Sequence, residues 1–261
     1  MPTRDTAWPD GTPCWVDLMT PDPATARNFY GELFGWDYQV GGEDTGFYAI
    51  ALRDGHRVAG VGPMMMEGAH PAVWTTYLAS SDVDSASKSV ADAGGTVVGP
   101  AMDVMDFGRM AVVSDPSRAT FGLWQAGKHI GTELVNEPGA LMWNELLTRD
   151  YEGAKQFYTS VFGYTYTEIG DEAFRYSTVE VDGGTVGGLG LLPAEVPDEV
   201  PPHWLTYFCV DDVDTIVDRA VALGGAVQRP AADMPYGRHA GLADPAGAGF
   251  AVIKPTPGPQ N

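Results

Sequence analysis

The chain repeats itself. WVDLMTPDPATARNFYGELFGW (Trp15 to Trp36) returns as WNELLTRDYEGAKQFYTSVFGY (Trp143 to Tyr164), displaced by 128 positions. Trp74, Asp82-Val83-Asp84 and Gly94-Gly95 return 130 positions on as Trp204, Asp212-Val213-Asp214 and Gly224-Gly225. Gly108-Arg109 and Asp115-Pro116 match Gly237-Arg238 and Asp244-Pro245 at a displacement of 129. So small a drift marks a duplication with minor loop changes, and both halves must find the same fold.

Each half divides again. WVDLMT reads as a short strand, and PDPATARNFYGELFG as a helix whose apolar face is Phe29, Tyr30, Leu33 and Phe34, ended by Gly35. Three strands are expected to follow, near Phe47–Leu52, Arg57–Gly62 and Met64–Met66, separated by turn residues such as Asp54-Gly55. The next quarter repeats the pattern with strand TTYLAS, helix DVDSASKSVADAG, and strands around Val97, Met110–Val113 and Thr120–Trp124. Residues 140–193 and 203–255 do the same. The expectation is an α+β chain of four βαβββ modules in two tandem domains, 11–127 and 140–255, whose curved sheets form clefts.

Composition narrows the partners. Thirty-five acidic against 15 basic residues leave a formal charge of −20. That argues against a nucleic-acid backbone and is compatible with a cationic small molecule. No apolar run approaches the roughly 20 residues that span a bilayer, so no membrane partner is expected. Cys14 and Cys209 are too few and too far apart for a disulfide framework. A cytoplasmic location is the default expectation.

The FYGELFGW and FYTSVFGY helix ends (Phe29–Trp36, Phe157–Tyr164), the two DVD helix starts, the GG pairs and the GR…DP hairpins occur in the same order twice. In these landmarks the chain resembles the glyoxalase/bleomycin-resistance proteins of the vicinal-oxygen-chelate superfamily. The tandem form is similar to actinobacterial glyoxalase-like proteins, among them an accessory branch of anthracycline biosynthesis. That branch would imply binding of an anthracycline and a functional link to a cytochrome P450.

Enzymes of this superfamily hold a divalent metal with His, Glu or Gln. Laid on this chain, the family pattern puts Trp15 and Trp143 at the first-strand His, Thr75 and Leu205 at the middle position, and Gly122 and Ala251 at the late Glu. Neither half keeps two donors able to replace a metal's hydration shell, so neither metal nor other cofactor is expected. His56, His70, His129 and His203 read as solvated or core residues. His239, which stands where the other half has Met110, is the one most expected to face a cleft.

Asp17 and Glu145 lie two places beyond Trp15 and Trp143, hence on the same strand face. A carboxylate on a partly apolar concave surface is unusual. Either it serves a ligand, or it caps a backbone N–H or pairs with Arg109 or Arg238. Trp15, Trp124 and Trp143 are candidates for a stacking surface, whereas Trp74 and Trp204 are expected to be structural. The candidate ligand-binding set is therefore Trp15, Asp17, Tyr77, Trp124, Trp143, Glu145, Tyr207 and His239. It suits a metal-independent binder of a planar aromatic, ammonium-bearing natural product, which sequesters or delivers it. The alternative is a cofactor-free isomerase, cyclase or hydroxylase-like enzyme on an aromatic polyketide, with Asp17 or Glu145 as base and Tyr77, Tyr207 or His239 as acid.

Overall fold

The computed structural model describes residues 3–64, 71–171 and 174–256. In the first half β1 (Pro13–Thr20) leads into α1 (Pro23–Phe34), then β2 (Asp37–Val40), β3 (Ala49–Arg53) and β4 (His56–Pro63). The second module runs β5 (Val73–Ala79), α2 (Val83–Asp92), β6 (Thr96–Val104), β7 (Gly108–Ser114) and β8 (Thr120–Ala126). The third runs β9 (Leu141–Thr148), α3 (Tyr151–Phe162), β10 (Thr165–Glu168), β11 (Tyr176–Val181) and β12 (Gly184–Leu191). The fourth is β13 (His203–Cys209), α4 (Val213–Ala222), β14 (Ala226–Met234), β15 (Gly237–Ala243) and β16 (Gly249–Pro255).

All four helices start the same way. Asp22, Asp82, Asp150 and Asp212 each accept the backbone N–H of the third helical residue, satisfying an amide that the first turn leaves without a partner. The longer helices stop at Gly35 and Gly163, both left-handed, with φ of 68° and 70°. Arg109 and Arg238 tie their hairpins to the shorter helices α2 and α4 through paired hydrogen bonds to Asp84 and Asp214. They also bond Asp103 and Asp233, so neither arginine is the partner of Asp17 or Glu145.

Modules join edge to edge within each half. β1 pairs antiparallel with β5, giving the open order β2-β3-β4-β1-β5-β8-β7-β6, and β9 pairs with β13 to give β10-β11-β12-β9-β13-β16-β15-β14. The expected four-module α+β fold is what forms, with a cleft inside each half. One expected strand differs. The three strands after α1 begin with β2 and end with β4, and none forms at the expected Met64–Met66 place; Met64 lies outside any strand, and Met65 and Met66 are beyond the described residues. DYQV gives little warning because its residues are mostly exposed and show no apolar alternation. Pairing with β3 makes it a strand.

The cores cross between halves. Val16, Leu18, Phe29, Tyr30 and Trp36 of the first module share one apolar cluster with Phe208, Leu242, Phe250 and Val252 of the last. Leu78, Phe121 and Leu123 of the second share another with Phe157, Tyr158 and Trp204, from the third and fourth modules. Helix α1 accordingly packs on α4, and α2 on α3. Strand alternation does this: one face of each sheet feeds the shared cores, and the other faces its own cleft.

Candidate functional site

Trp15 and Asp17 point to the cleft face of β1, while Val16 and Leu18 enter the core. Asp17 is 4% exposed. Its Oδ2 accepts hydrogen bonds from Tyr48 Oη and Tyr77 Oη, both at 3.2 Å, and Trp15 Nε1 donates to Tyr48 Oη at 3.1 Å. Oδ1 is buried without a hydrogen-bond partner. Burial pushes the Asp17 carboxyl up to about 7 against the opposing effect of the two tyrosine bonds.

The second half builds the same quartet. Tyr176 Oη donates to Glu145 Oε2 and Tyr207 Oη to Oε1, each at 2.7 Å, and Trp143 Nε1 donates to Tyr176 Oη at 3.0 Å. Both carboxylate oxygens are served here. Glu145 is buried, which raises its pKa; the two tyrosine bonds and, more weakly, Arg229 and His203 pull the other way. His239 stacks on Tyr207, ring centroids 6.3 Å apart.

Tyr48 and Tyr176 were not among the residues expected from sequence. Each sits immediately before or at the start of its strand and crosses to the cleft over a glycine. A Cβ at Gly60 would stand 1.8 Å from Tyr48 Oη, and one at Gly188 1.8 Å from Tyr176 Oη. The signal was available in the repeat, since Tyr48 and Tyr176, like Gly60 and Gly188, are 128 positions apart.

Of the expected set, the structure brings Trp15, Asp17, Tyr77 and Trp124 into the first cleft and Trp143, Glu145, Tyr207 and His239 into the second. Trp74 and Trp204 instead donate to Tyr30 and Tyr158 in the cores. His129, from the connector, also enters the first cleft; its ring lies edge-on to Trp15 at 4.4 Å and beside Trp124 at 5.3 Å. A separate cavity of about 290 Å³, lined by Asp115, Ser117, Asp150 and Gln156, lies at the seam between the second and third modules and contains none of these residues.

The donor set does not fit a divalent metal. Each quartet offers one carboxyl group, already engaged by tyrosine hydroxyls and shifted toward its neutral form, and a metal ligand must be deprotonated. At the late-ligand position, a Cβ on Gly122 would meet the Tyr77 ring at 2.0 Å, so the tyrosine fills the space a longer side chain would need. Among the described residues no three His, Cys, Asp or Glu side chains converge. The arrangement can present a flat indole, hydroxyl groups and a tunable carboxyl group to a small molecule.

Paired open sheets of βαβββ modules, with polar groups gathered on the cleft faces, define a glyoxalase-like architecture. The chain belongs to the Glyoxalase/Bleomycin resistance protein/Dioxygenase superfamily, whose model matches residues 14–123 and 138–252. It is 44% identical over 266 residues to CFP32 of Mycobacterium tuberculosis, a candidate glyoxylase by name, covering 98% of this chain and 99% of that one. It is 38% identical over 263 residues to the anthracycline biosynthesis protein DnrV of Streptomyces peucetius, covering 95% of each. The Mn(II)-bound glyoxalase from Novosphingobium aromaticivorans shares the fold, with a TM-score of 0.66 at 17% identity over 94% of this chain and 82% of that one. None of the described helices is long and apolar enough to cross a membrane.

Proposed function

We propose that the protein binds a planar aromatic natural product of anthracycline type without a metal, and sequesters or delivers it in that compound's biosynthesis or resistance. The observation that carries this reading is the quartet itself. Where relatives place metal ligands, this chain twice sets a tryptophan, a buried carboxyl group and two tyrosine hydroxyls. An indole supplies a stacking face, the hydroxyls supply direction, and the carboxylate favours an ammonium group on the ligand. The net charge of −20 draws such a cation toward the protein. The 38% identity to DnrV supports the anthracycline class. A functional link to a cytochrome P450, which would oxidise the carried compound, belongs to the same proposal.

A second reading rests on Asp17. A carboxyl group held near 7 beside a tyrosine is suited to proton abstraction at neutral pH. Titration of the chelator-treated protein with daunorubicin, followed by tryptophan fluorescence and by mass spectrometry of the ligand, separates the two. Saturable quenching with unchanged ligand supports the binder, and a converted product supports the enzyme. The absence of both quenching and product would overturn the anthracycline proposal.

A further inference from the structure

The duplicated clefts have diverged. In the first, Trp15 is 3% exposed and Trp124 7%. The cover is the connector. Lys128 N donates to Asp106 O and His129 N to Phe107 O, so the connector is fastened to the tip of the β6–β7 hairpin. On the other side Thr132 N donates to Cys14 O and Glu133 N to Arg57 O. Trp8 Nε1 then bonds Thr132 O, and Trp124 Nε1 bonds His129 O at 2.8 Å. The strap therefore spans from one edge of the cleft to the other, with the His129 ring between two indoles. Neither ring nitrogen has a hydrogen-bond partner, so the imidazole acts there as a flat ring rather than as a polar group.

Among the described residues no strap crosses the second cleft. Trp143 is only half-buried, and among the described residues no ring packs on it. This cleft also carries a cation in a place different from the Arg57 that neighbours His129 in the first. Arg229 stands opposite Gly241 in the β14–β15 ladder, and the matching place in the β6–β7 ladder, opposite Val112, is held by Gly99. The Arg229 guanidinium is exposed, yet it acts on Tyr207, Glu145 and His239. Both Glu145 oxygens are satisfied, whereas Asp17 Oδ1 is not. Of the two quartets the second is thus the more fully hydrogen-bonded, and its indole is the more exposed.

We propose that the first cleft is occupied by its own connector, with His129 standing in for a ligand ring, and that the second cleft alone takes the ligand, one per chain. This deepens the binding reading and rests on it. The second cleft's chemistry specifies an aromatic ring system bearing phenol or quinone oxygens, which Arg229 receives as a charged donor while Trp143 covers the ring.

Calorimetric titration of the full chain with daunorubicin, and with its amine-free aglycone, tests this. The wild type should bind one equivalent of either. Arg229→Ala should weaken both at least tenfold, and His129→Gly should raise the stoichiometry toward two. Two equivalents on the wild type, or an Arg229→Ala variant that binds unchanged, would overturn the assignment. If nothing binds to wild type or variant, the ligand-binding reading falls, and imidazole decides the plug separately. Added imidazole should refill the His129→Gly cavity and change tryptophan emission saturably, with no effect on wild type. An emission indifferent to imidazole, together with unchanged acrylamide quenching, would overturn self-occupancy.

Discussion

Tyr30 Oη donates to Asp244 Oδ2 at 3.2 Å, joining side chains 214 positions apart. Trp74 Nε1 donates to the same hydroxyl at 2.9 Å. The second core repeats the relay, with Trp204 bonding Tyr158 and Tyr158 bonding Asp115 at 3.3 Å. Each aspartate in turn accepts backbone amides of the DP turn, so one carboxyl group fixes a hairpin and a helix from the other half. Tyr30→Phe leaves the Trp74 N–H without its acceptor and removes a donor from Asp244. It should destabilise the fold by about 1–3 kcal/mol, measured by urea unfolding. A double-mutant cycle with Asp244→Asn should give a coupling energy of about 0.5–3 kcal/mol; additive effects would show the relay to be energetically idle.

The Asp17 carboxyl is raised from its ordinary value to about 7, so the folded state holds its proton more tightly than the unfolded chain does. Its neutral form fits the fold. The group therefore withdraws stability as pH rises from about 4 to about 7, by an amount on the order of 4 kcal/mol. Asp17→Asn should melt at a higher temperature than wild type at pH 8 and show little gain at pH 4. An equal shift at both would mean that the carboxyl is not titrating in this window.

His129 runs the other way. Burial lowers its pKa to about 4, so the fold prefers the neutral ring. Its contribution is complete above about 6.5 and is lost as pH falls toward about 4, by about 3 kcal/mol. Between pH 4 and 6.5 the two groups oppose each other. Wild-type stability should therefore vary less with pH than that of either variant. His129→Leu should gain stability on acidification, and Asp17→Asn should lose it. Parallel urea melts at half-unit pH intervals would reveal the crossing.

Gly60→Ala and Gly188→Ala place a methyl where a tyrosine hydroxyl now lies. Each should cost about 1–3 kcal/mol through overpacking and should displace Tyr48 or Tyr176 from its carboxyl group. Near-ultraviolet circular dichroism should change with the loss of the Trp–Tyr contact. If the Gly188 variant keeps ligand affinity while Tyr176 moves, the hydroxyl is dispensable for binding.

The repeat made the fold legible because landmarks such as the DVD helix starts recur with their spacing intact. Strand alternation placed Trp15 with Asp17 and Trp143 with Glu145, and in the structure Tyr48 and Tyr176 bridge the two pairs by hydrogen bonds. Tyr48 and Tyr176 were hidden because they lie at strand starts after loops, where periodicity is silent. His129 was obscured for a different reason. A connector residue reads as surface, and only the path of the backbone over Cys14 and Phe107 carries its ring between two indoles. β2 escaped because a short exposed strand owes its existence to its partner.

The crossing of the cores has a consequence for how the protein is made. The apolar face of α1 is covered by residues as late as Val252, so the first module leaves the ribosome with its hydrophobic side bare. At typical elongation speeds roughly 10–40 s pass before the last module arrives. During that interval the second and third modules can already close on each other, and the first must wait. A chain severed at the connector would yield two halves each missing its counterpart surfaces, prone to find them on another copy.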